Sequence, residues 1–255
     1  IFSPYCITND RQGNFFLSDE HNLYFVSKRE EQPIKLLEDL FSVLLLDKKG
    51  YLWAATLKKG LYRIEYSFVN NKLTILSRDH FLPGENIRSL FEDSKGNIWV
   101  GTRYHGLYRF SKNGNGTAAY SISNIDQSKG LSSNWVKGIA ETGKAELWVA
   151  SLQGLDKLIQ QDSVYRVFNF SRVNNFYGNV TGMVSDKKHS LWIATTAGMV
   201  HITDGEMEKL PPLPPFQAAI LGILKWAKTE ITDLRIGESS ICFQTIQTIF
   251  ITPNP

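Results

Sequence analysis

Asp93-Ser94-Lys95-Gly96-Asn97-Ile98-Trp99-Val100-Gly101-Thr102, followed after a short loop by Gly106-Leu107-Tyr108, decides the fold, because the chain writes this stretch five times. The second copy is Asp47-Lys48-Lys49-Gly50-Tyr51-Leu52-Trp53-Ala54-Ala55-Thr56, closing with Gly60-Leu61-Tyr62. The fourth centres on Glu146-Leu147-Trp148-Val149-Ala150-Ser151 and Gly154-Leu155, the fifth on Ser190-Leu191-Trp192-Ile193-Ala194-Thr195 and Gly198-Met199. A degenerate first copy reads Asp10-Arg11-Gln12-Gly13-Asn14-Phe15-Phe16-Leu17-Ser18, with Asn22-Leu23-Tyr24 closing it. The anchor aromatics fall at 16, 53, 99, 148 and 192, so the steps are 37, 46, 49 and 44 residues. A period in the forties marks a stack of equivalent units.

Each unit reads as four short strands. In the third copy, Ile87 to Asp93 is an apolar-rich run that ends in the turn Asp93-Ser94-Lys95-Gly96. Asp bonds its own backbone two residues on, and Gly takes φ > 0 without a Cβ penalty. Ile98 to Thr102 is a second strand, rich in β-branched and aromatic residues. Gly106 opens a third, and Asn22 fills the matching slot in the first copy, where Asn is expected to tolerate a left-handed turn. Weaker fourth strands precede the next unit at 73–76, 118–122 and 164–168. Four antiparallel strands per period define a propeller blade. The fold class is therefore all-β: five four-stranded β-propeller blades at about 1–38, 39–80, 81–124, 125–170 and 171–210. Five blades either close as a small ring or belong to a larger one whose other blades precede Ile1.

The repeat aromatics Phe16, Trp53, Trp99, Trp148 and Trp192 read as core packing between neighbouring sheets rather than as ligand platforms. Burying one such side chain contributes roughly 1.5–3 kcal/mol. Trp135 stands outside the motif, at the start of a first strand, where other blades have Ile87 and Val180.

Composition narrows the function classes. The net charge is only +3 and the 28 basic residues are scattered, with no basic stripe of the kind that binds nucleic acid. Cys6 and Cys242 sit in apolar strand-like runs at opposite ends and read as buried thiols, a disulfide between them being the lesser alternative. No segment is long and apolar enough to span a membrane, since 36–46 is broken by Glu38 and Asp39 and 216–226 contains Gln217 and Lys225. The chain starts inside a strand and is expected to be a piece of a longer protein. Leu210-Pro211-Pro212-Leu213-Pro214-Pro215 marks a stiff linker at 211–215. Beyond it, 216–255 reads as the strands of a second, incomplete β domain.

The unit Asp-x-x-Gly-x-(Leu/Ile)-Trp-(Val/Ile)-(Gly/Ala)-Thr…Gly-Leu-Tyr resembles the two-component regulator propeller repeat, and Leu131 to Ile139 resembles that repeat's lead-in. The segments Leu234 to Phe243 and Phe250 to Asn254 resemble the opening of the Ig-like triple-tyrosine domain, a β-sandwich that follows such propellers. The resemblance implies the periplasmic sensor region of a hybrid two-component protein of the Bacteroidetes kind. It further implies an oligosaccharide or other small ligand derived from polysaccharide breakdown. A homodimer through the full-length protein is implied too, with attachment to the membrane through a helix outside this chain. The kinase would also lie outside, so this fragment is expected to be no enzyme. The copies depart from the pattern where Thr142 replaces Asp, Ala145 and His189 replace the turn Gly, and Phe16 replaces Trp.

Propeller geometry places the lead-in to each first strand and the loop between second and third strands on one face. That groups Arg88, Asn134 and Trp135 with Lys58, Lys59, Arg103, Tyr104 and His105 as candidate ligand-binding residues. Arg103-Tyr104-His105 offers a planar cation, an aromatic face and a titratable donor, which suits an acidic sugar. The alternative is a set of ordinary solvated loop tips. No catalytic residues, metal ligands or cofactor sites are expected: the five histidines lack metal-ligand spacing and there is no Gly-x-Ser-x-Gly elbow. Asn113-Gly114-Asn115-Gly116 opens no helix and is a turn rather than a phosphate loop. Three classes therefore stand: a ligand sensor, a protein-binding scaffold, and a carbohydrate-active propeller enzyme whose carboxylates come from different blades.

Overall fold

A computed structural model describes residues 6–29, 32–112, 120–143, 146–161, 164–171, 180–186, 189–195, 198–203, 206–209, 234–237 and 240–243. Blade 1 comprises β1 (Cys6–Asn9), β2 (Phe15–Ser18), β3 (Asn22–Val26) and β4 (Ile34–Glu38). Blade 2 comprises β5 (Phe41–Leu46), β6 (Leu52–Thr56), β7 (Leu61–Val69) and β8 (Lys72–Phe81). Blade 3 is β9 (Ile87–Glu92), β10 (Ile98–Thr102), β11 (Leu107–Lys112) and β12 (Tyr120–Ile125). Blade 4 is β13 (Val136–Thr142), β14 (Glu146–Ser151), β15 (Gly154–Gln161) and β16 (Val164–Asn169). Blade 5 is β17 (Val180–Ser185), β18 (Leu191–Thr195), β19 (Gly198–Thr203) and β20 (Glu206–Lys209). Each is a four-stranded antiparallel meander with its strands in chain order, so the protein is all-β with five propeller blades. The linker at 211–215 and most of 216–255 lie outside the described residues. Within that region β21 (Leu234–Gly237) and β22 (Ser240–Phe243) form a separate antiparallel hairpin.

The repeat motif works as a clamp. Asp93 Oδ1 accepts the backbone N–H of Lys95 (2.9 Å) and Asn97 (2.8 Å), which fixes the turn. Its Oδ2 accepts Nε1–H of Trp99 at 2.8 Å, which fixes the indole. Asp47 holds Trp53 (3.0 Å) and Asp186 holds Trp192 (3.0 Å) in the same way. One carboxylate thus shapes a turn and satisfies the only polar atom of a large core side chain. Blade 4 has Thr142 at this place, and Trp148 Nε1 reaches its hydroxyl at a long 3.4 Å. Blade 1 has Phe16, which offers no N–H, and Asp10 Oδ2 takes the Asn14 side-chain amide at 2.8 Å instead. Phe16, Trp53 and Trp99 are fully buried. Each aromatic packs toward the following blade: Phe16 with Leu44, Trp53 with Val100, Trp99 with Val149 and Trp148 with Ile193.

The first strands β1, β5, β9, β13 and β17 are neighbours in chain order. Together they line a cavity of about 390 Å³, walled by residues from Thr8 round to Ser185.

Three expectations need correction. Asn22 does not adopt a left-handed conformation. Asp19 shapes that turn instead, its Oδ1 accepting the N–H of His21 (2.8 Å) and Asn22 (2.7 Å). Trp135 is not equivalent to Ile87, because Val136 is the residue that opens β13. Trp135 matches Asn86 and Leu40, whose carbonyls each accept the N–H of a 2–3 loop residue. The fourth strand of blade 2 is longer than the 73–76 reading, since β7 and β8 extend as a hairpin closed by Asn70 and Asn71, both at positive φ. Polar Ser77, Arg78, Asp79 and His80 hid this extension from a reading of apolar runs, although β8 alternates partly buried and exposed residues along its whole length.

Candidate functional site

Backbone hydrogen bonds tie the 2–3 loops of blades 2, 3 and 4 to the lead-ins of their own blades: Leu57 to Leu40 (3.0 Å), Arg103 to Asn86 (2.8 Å) and Leu152 to Trp135 (2.9 Å). These loops and lead-ins therefore share one face, the lead-in face, opposite the Asp-x-x-Gly turns. Gly106 closes the blade 3 loop at φ 76°, and a Cβ there would meet the Ile125 carbonyl oxygen at 2.5 Å, so only glycine fits.

The first strands then add a feature that periodicity does not show. Pairing with the second strand slips by one residue at the same place in four blades, so that the register skips Ser42, Arg88, Lys137 and Thr181. An extra residue in a ladder re-aims a side chain and bends the strand. The bulge thus sets Arg88 and Lys137, on adjacent blades, at equivalent positions just inside the lead-in face. In blade 2 the bulged Ser42 donates its hydroxyl to the Ile87 carbonyl at 2.7 Å, stitching two blades together.

Around Trp135 these residues form a cationic cluster. The Arg103 guanidinium lies 4.6 Å from the Trp135 ring centre and 5.4 Å from that of Tyr104. Lys137 Nζ lies 5.2 Å from the same Trp135 ring. Arg88 is close enough to Arg103 that burial and then the Arg103 charge hold its guanidinium below the ordinary arginine value. Burial likewise lowers the Lys137 ammonium. The Arg88 Nε–H is buried with no hydrogen-bond acceptor, and neither guanidinium meets a carboxylate among the described residues. Tyr104 leaves 56% of its surface exposed beside them. Two guanidiniums, an ammonium and an open aromatic face are groups whose chemistry suits an anionic, partly apolar ligand.

Of the sequence-derived candidates, Arg88, Arg103, Tyr104 and Trp135 come together. His105 does not join them: its Nδ1 pairs with Glu85 at 2.8 Å, and Tyr108 completes that group with a 3.3 Å bond to the same carboxylate. Asn134 is used internally, its Oδ1 accepting Gln127 N–H (2.9 Å) and its carbonyl accepting Gly106 N–H (3.0 Å). Lys59 pairs with Asp39 at 3.5 Å on blade 2, and Lys58 sits beside it on the same loop. Lys137 is the residue sequence reading missed. Its signal was the alignment of Phe41-Ser42-Val43 with Ile87-Arg88-Ser89 and Val136-Lys137-Gly138, which marks a common bulge slot.

Comparison with known proteins places this geometry. Residues 82–104, covering the lead-in, β9, the Asp93 turn and β10, match the two component regulator propeller. No curated protein matches the chain. Among solved structures, the extracellular domain of BT3049 of B. thetaiotaomicron, designated a hybrid two component system, is 18% identical with a TM-score of 0.66. That of BT4673 from the same organism is 17% identical with a TM-score of 0.65. These alignments cover 93% and 94% of this chain but 31% and 33% of those chains, so the chain spans about a third of their length. Virginiamycin B lyase of Staphylococcus aureus shares the fold as well, at 13% identity and a TM-score of 0.60, over 85% of this chain and 72% of that one. Likeness at these identities establishes the propeller fold, and within it residues 82–104 match the two component regulator propeller.

Proposed function

We propose that this chain is a ligand-sensing propeller region from the extracytoplasmic side of a two-component signalling protein. It binds a carbohydrate-derived anion on its lead-in face and passes the signal to a kinase outside the chain. The observation that carries this reading is the convergence of Arg103 and Lys137 on Trp135 with Arg88 beside Arg103, and with neither guanidinium paired to a carboxylate among the described residues. The repeat match and the two extracellular neighbours support the signalling context. A uronic acid suits the site, since its carboxylate takes the arginine fork while its ring lies on Tyr104. Like-charge repulsion between Arg88 and Arg103 in the empty site gives the ligand work to do on the protein. An anion that relieves it stabilises one arrangement of blades 3 and 4 over another, and such differential affinity is what a sensor passing its signal through a dimer partner needs.

The test is a thermal-shift series with acidic and neutral oligosaccharides, followed by product analysis. A ligand at a hundredfold excess over its Kd stabilises by about 2.7 kcal/mol. The expected result is a shift with uronic oligosaccharides recovered intact, lost in Arg88→Gln and Arg103→Gln but kept in Lys58→Ala. Equal shifts in the arginine variants, or none in any protein, would refute the site. A cleaved sugar would replace the sensor by an enzyme.

A further inference from the structure

The repeats serve as controls for one another on the opposite, turn face. At the seam between blades 3 and 4, the turn lysine of blade 3, Lys95, donates to the side-chain oxygen of Gln160 on β15. The same register at the seam between blades 2 and 3 brings Lys112 Nζ over the ring of Tyr51, two residues on from Lys49, and within reach of Lys49 itself. Lys49 and Lys95 both stand two residues after the motif Asp. Lys112 pairs across its ladder with Tyr120 as Gln160 pairs with Tyr165. At the seam between blades 1 and 2 the corresponding β7 residue is Tyr66, whose hydroxyl reaches Asp10. Two seams thus supply a neutral partner, and the third supplies a second ammonium.

Among the described residues no salt bridge neutralises this pair. Lys112 Nζ lies 5.2 Å from the Tyr51 ring centre and 5.8 Å from that of Tyr120. The Arg63 guanidinium occupies the same two rings, at 4.8 and 5.3 Å. The Asp79 carboxylate at this seam is bonded to Arg63. Asp47 is committed to the turn N–H groups and to Trp53. Among the described residues neither Lys49 nor Lys112 has an acidic partner. Residues 113–119, which follow Lys112, contain no carboxylate. Burial and then the neighbouring Lys49 ammonium lower the Lys112 ammonium, and the Asp47 charge offsets this only in part.

We propose that the Lys49–Lys112 seam is a second binding site, for a tetrahedral or carboxylate oxyanion, independent of the cluster on the lead-in face. The two ammoniums close on one anion and the Tyr51–Arg63–Tyr120 stack forms its floor. Sulfate, phosphate and the acidic substituent of a sugar share this chemistry.

The test uses protein carrying Arg88→Gln and Arg103→Gln, so that the lead-in face does not contribute, with and without Lys112→Gln. Lys112→Gln copies the Lys95–Gln160 pair of the neighbouring seam and is expected to fold. Sodium sulfate is titrated against chloride at constant ionic strength while the unfolding midpoint is followed. The expected result is a saturable rise with Lys112 present, and at least a tenfold loss of sulfate affinity in Lys112→Gln and in Lys49→Ala. Lys95→Ala is expected to change nothing. Glucose 6-sulfate binding more tightly than inorganic sulfate assigns the site to a sugar substituent, and equal binding assigns it to the free ion. Identical sulfate responses with and without Lys112 would overturn the proposal.

Discussion

Replacing Asp93 by Ala tests the clamp on which the whole repeat depends. The substitution removes four hydrogen bonds at once: from Lys95 and Asn97 N–H, from the Asn97 side chain at 2.8 Å, and from Trp99 Nε1. The amides stand at a turn that water reaches, so their loss costs little more than the turn's preference. Trp99 is fully buried, and its N–H is left with no acceptor. An orphaned buried donor costs about 1–3 kcal/mol, and bonds to a charged group about 1.5–3 kcal/mol. The total expected is roughly 3–5 kcal/mol, large for a single residue. Urea unfolding followed by circular dichroism measures it. A second arm isolates the indole bond: in a Trp99→Phe background, Asp93→Ala has no N–H to orphan, so its cost shrinks by roughly 1–2 kcal/mol. Blade 1 already carries this combination in Phe16 and Asp10, with the freed oxygen taken by Asn14. A cost of Asp93→Ala that is the same in both backgrounds would refute the clamp and leave the aspartate as a turn former alone.

Two further outcomes follow from the same geometry. Thr142→Asp supplies blade 4 with the missing carboxylate, replaces the 3.4 Å contact to Trp148 by a charge-assisted bond, and is expected to raise stability by about 1 kcal/mol in the same urea assay. Asp156 is a buried carboxylate on β15 whose pKa burial raises, while Ser132 pulls it back through its N–H at 2.8 Å and its hydroxyl. Its folded pKa therefore lies above the unfolded one. The contribution it makes is fully present below the ordinary aspartate pKa and is lost as pH rises through the raised folded value. Stability measured across that window is expected to fall with pH in the wild-type chain, and to lose that slope in Asp156→Asn.

The repeat was legible because its signals are local and redundant. Asp93, Gly96, Trp99, Thr102 and Gly106 each act within one hairpin, and five copies average out the losses at Phe16, Thr142 and His189. The candidate site was only half legible. Topology alone puts Arg103 and Trp135 on one face, since the 2–3 loops of blades 2, 3 and 4 bond to their own lead-ins. It does not say which side chains are already spoken for. His105 and Asn134 were drawn away by Glu85 and Gln127, partners 20 and 7 residues distant that carry no motif. Lys137 was hidden for the opposite reason, because a bulge breaks the two-residue alternation from which facing is read.

A repeat protein therefore carries its functional information in its departures from the repeat. At a position where every blade needs the same packing, the fold dictates the residue, as with the tryptophans. Where the backbone is equivalent but the side chain is free to vary, the difference between blades isolates what selection for packing does not explain. The bulge slot holds hydroxyls in blades 2 and 5, at Ser42 and Thr181, but cations in blades 3 and 4, at Arg88 and Lys137. The seam slot holds Tyr66 and Gln160 in two blades but Lys112 in blade 3. Both departures put positive charge where the equivalent positions show that a neutral side chain fits. Both fall on the blades joined by Trp99, which packs blade 3 onto blade 4, and by Trp53, which packs blade 2 onto blade 3. An anion bound at either proposed site would relieve like-charge repulsion at a seam of blade 3, on one face or the other.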